Sequence, residues 1–305
     1  MTHSNFDGFW AALAALDRVG RMVCLAAGAL LGIGYAAFDS RPNDGGLFWA
    51  SGHSAQYYGS VWNLDAAYIY PPPLAQLASL LPWALFIIPW MVLIFASLWY
   101  ATRWLSAPIV VLGLLVLAFG ADSAKFLASP LVPSLVGNPQ AIIAAAIVMG
   151  FRHPAAWAVV LLTKIGPGVG LVWFLVRGEW RSLAIAVGAV TVIGAVSFAV
   201  SPGAWADFAR FAVANYATPS PLPVVPIPLF VRLPMALALV IWGARTDRRW
   251  TLPIAAGWSA LALYEGSYLI VWAAALPLFV ADLRASRSRV IMKPANVAPQ
   301  VVISR

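Results

Sequence analysis

An acidic residue and two cations stand out in an otherwise apolar chain. Asp44 opens a long polar segment within Asn43-Asp44-Gly45-Gly46, whereas Lys164 and Arg232 lie at the end of, or inside, apolar segments. Because a charge at membrane depth is costly, such residues are candidates for function. A carboxylate can accept a proton from a hydroxyl, and an ammonium with a guanidinium can bind a phosphate. The three residues therefore predict proton transfer beside a phosphate.

Each of the three residues also has a purely structural interpretation. Asp44 can form an Asx turn or cap the helix-like stretch Leu47–Ser51. Arg232 can snorkel to the membrane interface, and Lys164 can form an internal ion pair with Asp122 or Glu265. The sequence leaves these alternatives open.

Composition indicates the solvent in which these residues lie. Of the 305 residues, 62% are apolar and only 10% are charged, against about 25% charged in a typical globular domain. This excludes a soluble protein, because a water-facing shell could not cover so much apolar surface. The net charge of +8 is interpreted as topology rather than nucleic-acid binding, since the Lys and Arg residues form short clusters between apolar runs.

The apolar segments predict an all-α, polytopic membrane protein with about ten transmembrane or half-length helices. Met22–Phe38, Trp83–Tyr100 and Ser182–Val200 are predicted to cross fully, the first as a retained span rather than a signal peptide. The remaining, shorter segments are Pro108–Gly120, Pro139–Phe151, Pro154–Lys164, Val169–Val176, Pro228–Trp242, Thr251–Tyr264 and Ser267–Val280.

The basic residues predict the orientation in the membrane. Most of the 19 Lys and Arg residues fall on one side if both termini are cytoplasmic. This requires the segment Pro154–Val176 to enter the membrane and return, with its break at Gly166-Pro167-Gly168. Each arm would be roughly 15 Å long, half of a ~30 Å hydrocarbon core. Because backbone broken at that depth must be covered or line a wet cavity, we expect an extracytoplasmic cavity that contains the site.

The chain is predicted to form one transmembrane domain over residues 1–283, followed by a basic cytoplasmic tail at 284–305. Two extracytoplasmic loops, 39–73 and 201–227, are long enough to cover the cavity and are predicted to carry short interfacial helices. Their many aromatic residues are also typical of an ordinary interfacial belt. Neither a Gly-x-Ser-x-Gly elbow nor an Asp-x-Asp pair occurs, so neither a serine hydrolase nor a metal site is expected.

Four pieces of sequence, in order over about residues 40–200, resemble the GT-C class of polyprenyl-phosphate-sugar-dependent glycosyltransferases, and within it the family 87 (DUF2029) mannosyltransferases. Asp44-Gly-Gly-Leu-Phe-Trp-Ala-Ser-Gly52 resembles that family's first-loop segment, and Tyr68-Ile-Tyr70-Pro-Pro its Tyr-x-Tyr-Pro-Pro stretch. Gly137-Asn138-Pro139-Gln140 is similar to its Gly-Gln-x-Asn element in permuted form. Lys164-Ile-Gly-Pro167 resembles its Lys-x-x-Pro half-span.

The chain departs from that family in two ways. The family's late His-Tyr pair is replaced here by Tyr264-Glu265-Gly266-Ser267-Tyr268, and the chain is shorter than usual members.

The resemblance implies an inverting, metal- and cofactor-independent hexosyltransferase in the plasma membrane. It would move a hexose, mannose by the resemblance, from a polyprenyl-phosphate donor to a lipid-linked or envelope acceptor on the extracytoplasmic face. Asp44 would be the general base, and Lys164 and Arg232 would bind the donor phosphate. The residues implied in contacts with sugar or acceptor, or in lining the cavity, are Asn138, Gln140, His53, Tyr68, Tyr70, Trp49 and Glu265.

Two other functions are compatible with the sequence. A transporter or lipid flippase also uses broken helices with a buried Lys, although no repeat relates the two halves of this chain. A noncatalytic membrane partner on the same scaffold would account for the missing His and the reduced length.

Overall fold

The computed structural model of the protein describes residues 3–41, 43–54, 57–58, 68–119, 132–216, 227–260 and 268–291. Within these ranges the fold is all-helical, without a strand. Among the described residues, four helical segments are long and apolar enough to cross a membrane: Gly8–Ala37, Trp83–Leu115, Trp180–Val200 and Leu229–Thr246. The predicted class of all-α membrane protein is therefore confirmed, whereas the count of about ten segments and the orientation stay predictions.

The first part of the chain contains a long helix, two short helices and two apolar helices. In order, its helices are α1 (His3–Ala37), α2 (Asn43–Gly52), α3 (Pro72–Ser79), α4 (Trp83–Thr102) and α5 (Ser106–Phe119). A 3-10 turn at Arg103–Leu105 separates α4 from α5.

The second part alternates short and long helices. Its α-helices are α6 (Val132–Leu135), α7 (Gln140–Gly150), α8 (Trp157–Leu161), α9 (Val172–Arg177), α10 (Trp180–Val200), α11 (Pro202–Tyr216), α12 (Leu229–Thr246), α13 (Thr251–Trp258), α14 (Leu269–Ala273) and α15 (Ala275–Ile291). Helices α2 and α11 lie in the two predicted loops. The predicted tail begins inside α15, and residues 292–305 lie outside the described ranges.

Small residues bring α1 into close backbone contact with α4 and the start of α5. They recur every four residues along α1, at Gly20, Cys24, Gly28 and Gly32. Gly28 and Gly32 meet α4, whereas Gly20 meets the 3-10 turn and α5. A Cβ atom on Gly28 would lie 2.8 Å from the Met91 carbonyl oxygen, closer than van der Waals contact allows. Such approach is what stabilises helix pairs in lipid, where the hydrophobic effect does not drive helices together.

The predicted short arms are present around Lys164. Helix α8 ends at Leu161, a turn follows, and a 3-10 helix at Gly166–Leu171 leads into α9. The break thus comes before the predicted Gly166-Pro167-Gly168, which instead starts the second arm. The reason is that Pro lacks an N–H and has its φ fixed at a helical value. Both properties suit the first turn of a helix rather than a break.

Substituting Gly28 tests the α1–α4 contact. We expect Gly28→Ala to lower stability by about 1–3 kcal/mol, because the added methyl group overpacks against α4. Gly34→Ala is the matched control on the same helix, since its Cβ would meet nothing within 4 Å. Thermal unfolding in detergent measures both variants. Equal melting temperatures for the two would contradict the close packing.

Candidate functional site

The segment from Val136 to Asn138 fixes the start of α2. The backbone N–H groups of Asp44 and Gly45 both donate to the Val136 carbonyl, at 3.0 and 3.1 Å. These are first-turn donors that have no partner within the helix, so Val136 satisfies them. Gly137 has a φ of +82°, and a Cβ there would lie 2.8 Å from the Gly45 nitrogen. Only glycine allows this approach without strain.

The Asp44 carboxylate is half-buried and hydrogen-bonded to Asn138. The Asn138 Nδ2 lies 3.2 Å from Asp44 Oδ2 and 3.4 Å from the Tyr70 hydroxyl. The Asn138 Oδ1 accepts a bond from the Gln140 backbone N–H at 3.1 Å. Since Oδ1 needs a donor and Nδ2 an acceptor, these partners set the orientation of the amide.

Burial raises the pKa of the Asp44 carboxyl above its ordinary range, while the Asn138 hydrogen bond and the attraction of Lys164 act in the opposite direction. Desolvation disfavours the charged form, and a donor or a cation favours it. Asp44 lies on α2, outside the four candidate spans. Its carboxylate is thus a stronger base than an exposed aspartate while being held in place, a combination common at functional sites.

Lys164 lies in the turn between the two short arms, close to two aromatic rings. Its backbone N–H donates to the Val160 carbonyl at 2.8 Å, which ends α8. The ammonium nitrogen lies 5.8 Å from the centre of the Tyr70 ring and 5.0 Å from that of Tyr268. Ring faces attract a cation at such distances. The ammonium is also attracted electrostatically by Asp44.

The proposed ion-pair partners of Lys164, Asp122 and Glu265, lie outside the described ranges. Among the residues that the structure does describe, no carboxylate forms an ion pair within 4.0 Å of the Lys164 ammonium. Of the described residues, Asp44 is the acid that acts on Lys164.

Tyr268 is a site residue to which sequence reasoning gave no role. Its backbone N–H donates to Gln140 Oε1 at 2.7 Å, and its φ of +66° is rare for a residue with a side chain. Held in this way at the start of α14, Tyr268 places its ring near Lys164. The available sequence signal was its position at the end of the segment Tyr264–Tyr268, which the sequence comparison set against the His-Tyr pair of the resembled family.

Arg232 binds backbone carbonyls rather than Asp44. Its side chain is buried; Nε donates to the Ile227 carbonyl at 2.8 Å, and Nη1 to those of Trp258 and Ala260 at 2.8 Å each. These bonds connect the start of α12 to the end of α13, where carbonyls lack helical partners. Arg232 is therefore not a snorkelling residue. It also interacts electrostatically with Tyr268, the residue whose ring lies near Lys164.

Tyr68 was expected at the sugar, but the structure gives it a structural role. It is buried, its hydroxyl donates to the Pro71 carbonyl at 2.8 Å and accepts from the Ala75 N–H at 3.0 Å. Its ring lies 5.8 Å from that of Tyr70. Tyr68 therefore packs beside Tyr70, and its hydroxyl both donates and accepts a hydrogen bond within the protein.

Trp49 and His53, also expected at the sugar or the cavity, lie against each other. Their ring centres are 4.2 Å apart, and Trp49 also contacts the Leu81 carbonyl at 2.9 Å, the Arg41 guanidinium and the Trp83 ring. His53 is exposed, with Nδ1 2.8 Å from the Trp49 carbonyl oxygen. Neither has a described contact with Asp44 or Lys164, so the structure does not bring them to this site.

The structure thus joins five side chains from five separate parts of the chain. The site, as defined here, comprises Asp44, Tyr70, Asn138, Lys164 and Tyr268. It can remove a proton through Asp44 and stabilise a negative charge through Lys164. Within the described ranges there is no group of three or more His, Cys, Asp or Glu side chains that could hold a metal ion.

In comparisons with known proteins, no family model, no curated protein and no solved structure matches the chain. The resemblance to family 87 glycosyltransferases therefore stays a prediction.

Substituting Gly137 tests how tightly the site is assembled. We expect Gly137→Ala to destabilise the protein more than Gly178→Ala. Both glycines have positive φ, +82° and +66°, where a Cβ costs about 1–2 kcal/mol. Only Gly137 would also collide with the backbone of α2, since the nearest atom to a Cβ on Gly178 is 4.0 Å away. Thermal unfolding in detergent compares the two variants. An equal loss of stability would argue against tight packing of Gly137 on the first turn of α2.

Proposed function

We propose that the protein is a membrane glycosyltransferase that moves a hexose from a polyprenyl-phosphate donor to a hydroxyl of a lipid-linked or envelope acceptor. The observation that supports this most is that Asp44 and Lys164 both adjoin Tyr70, Asp44 through Asn138 and Lys164 at the ring. An oriented carboxylate and an ammonium attract each other across a site lined by tyrosines. Attack by a hydroxyl on a phosphate-activated sugar needs these two groups.

In the proposed reaction, Asp44 removes the proton from the acceptor hydroxyl. The acceptor oxygen forms a bond to the anomeric carbon as the bond from that carbon to the phosphate oxygen breaks, which inverts the configuration. The electron pair leaves with the polyprenyl phosphate, and the proton stays on Asp44 until it passes to water. A phosphate leaving group needs no proton from an acid, so one carboxylate suffices.

Lys164 supplies the opposite charge in this scheme. Negative charge accumulates on the leaving phosphate, and a fixed cation in an apolar setting stabilises it more strongly than water would. The rings of Tyr70 and Tyr268 hold the ammonium without neutralising it. A ligand phosphate would add the hydrogen-bond acceptors that the two rings lack.

Several finer features of the proposal rest on the resemblance or on charge distribution. These are the GT-C class and family 87, mannose as the sugar, about ten membrane segments, cytoplasmic termini and an extracytoplasmic site. Arg232 is given a supporting part, because its Nε and Nη1 already bind three carbonyls. Its positive charge acts electrostatically on Tyr268. The roles of Gln140 and Glu265 toward the sugar also stay predictions.

Replacing the base should slow transfer strongly. We expect Asp44→Asn to lower kcat by about 10²- to 10⁴-fold, the usual contribution of a general base. The assay uses purified protein in lipid, labelled polyprenyl-phosphate mannose and membrane-extract acceptors. Asp39→Asn is the matched control, because Asp39 lies in the same predicted loop but is exposed.

Full activity of Asp44→Asn would overturn the assignment of the base. Absence of transfer by the wild-type protein from every polyprenyl-phosphate sugar would contradict the proposed function and favour a transporter or a noncatalytic partner.

Replacing the cation should weaken both binding and catalysis. We expect Lys164→Gln to lower kcat/KM by roughly 10²- to 10³-fold, as for loss of one group that stabilises developing charge. It should also weaken binding of polyprenyl phosphate alone. Thr163→Val is the control, since the Thr163 hydroxyl donates to carbonyls of the preceding helix α8, at Val159 and Val160. Equal binding by wild type and Lys164→Gln would exclude Lys164 as the phosphate ligand.

A further inference from the structure

The Asn138 side chain is committed to protein groups on both of its polar atoms. Nδ2 has two hydrogens, and two acceptors lie near it, Asp44 Oδ2 and the Tyr70 hydroxyl. Oδ1 receives the Gln140 N–H. An amide in this arrangement has neither donor hydrogen left for a ligand. Asn138 therefore has no hydrogen to donate to a sugar hydroxyl, and only the second lone pair of Oδ1 could accept from one. Its contact with the sugar stays a prediction.

We propose that Asn138 is a positioning residue that acts through Asp44. It holds Oδ2 of the carboxylate and thereby leaves Oδ1 as the oxygen that takes the acceptor's proton. This inference rests on the proposed function, in which Asp44 is the base. It specifies which oxygen reacts and which residue keeps it in place.

The backbone around Asn138 is rigid enough for this role. The Asn138 N–H donates to the Pro133 carbonyl at 2.8 Å, and the Gly137 carbonyl accepts from Trp90 Nε1 at 2.9 Å. The carbonyl of the preceding residue, Val136, binds the first turn of α2. One short segment thus fixes both the backbone and the carboxylate of Asp44. A residue held both by its backbone and by one carboxylate oxygen keeps its reactive geometry, which is what a positioned base requires.

The same segment also reaches the cationic half of the site. Gln140 accepts the Tyr268 N–H, and the Tyr268 ring faces Lys164. The groups that act electrostatically on Asp44 or adjoin it are Lys164, the Tyr70 hydroxyl and, beyond Tyr70, Tyr268. Because Lys164 and Asn138 both favour the charged carboxylate, removing Asn138 leaves burial less opposed. The pKa of Asp44 then rises further.

The sign of the effect on activity follows from this. A base works when it is deprotonated, so activity is lost as the pH falls through the pKa of Asp44. Without the Asn138 hydrogen bond, this acid limb moves to higher pH. On the limb, we expect kcat/KM of Asn138→Ala to fall by roughly 10- to 100-fold, the value of a hydrogen bond to a charged group. On the alkaline plateau the loss should be smaller.

The test is the pH profile of kcat/KM for wild type, Asn138→Ala and Asn138→Ser in lipid. Serine keeps a short donor, so its limb should lie between the other two, and it serves if the alanine variant does not fold. Ser134→Ala is the matched control from the neighbouring helix α6, because the Ser134 hydroxyl is buried and has no hydrogen-bond partner among the described residues. Its profile should match the wild type.

The outcomes separate this inference from the proposed function. A limb that stays at the wild-type pH in both Asn138 variants overturns the positioning role, even when Asp44→Asn is inactive as proposed. A loss that is equal at every pH and resides in KM means that Asn138 contacts substrate directly, which also overturns it. Activity retained by Asp44→Asn overturns the proposed function and this inference together.

Discussion

The site depends on the cost of keeping a carboxylate and an ammonium inside an apolar helical protein. Neither charge is tolerated there alone. The hydrogen bond from Asn138 to Asp44 supports one charge, and the rings of Tyr70 and Tyr268 support the other. Their mutual attraction adds to both. The Asn138 amide and the two tyrosine rings carry no net charge, so they stabilise Asp44 and Lys164 without neutralising them. Both charges therefore remain available to a ligand.

The helices around Lys164 determine where its turn lies and how closely it is packed. Two arms too short to cross a membrane bring Lys164 to a turn. Trp157 is wedged against Gly150 and Gly170, where any Cβ would collide with its ring. Close packing of this kind transmits position well, because packed interiors have little room to yield. The turn that carries Lys164 is therefore held from the side as well as by its own helices.

Much of the fold was predictable because hydrophobic pattern and helix length are local properties. The all-α class, the break near Lys164 and the two loop helices follow from segment lengths and from Gly and Pro positions. Asp44 and Lys164 could be selected because charges are rare in such a chain. Their proximity could not be derived, since nothing local in the sequence specifies that the turn before Gly166 lies beside α2.

The partners of the polar side chains were the least predictable part. Tyr68 finds its partners at Pro71 and Ala75, and Arg232 finds carbonyls at the end of α13. Both look like ligand-binding residues until these bonds are known. Conversely, Tyr268 enters the site through a backbone bond to Gln140, which no side-chain pattern reveals. Residue type indicated which side chains could bind a ligand or transfer a proton. Long-range packing determined which of them are instead used in hydrogen bonds within the protein.

The most direct measurement is an experimental structure of the protein in a lipid nanodisc with a polyprenyl phosphate bound. We expect phosphate oxygens within hydrogen-bond distance of the Lys164 ammonium, with the Asp44 carboxylate on the far side of the space that the sugar would occupy. A phosphate bound elsewhere, or a Lys164 ammonium that faces away from it, would contradict the proposed roles of both residues.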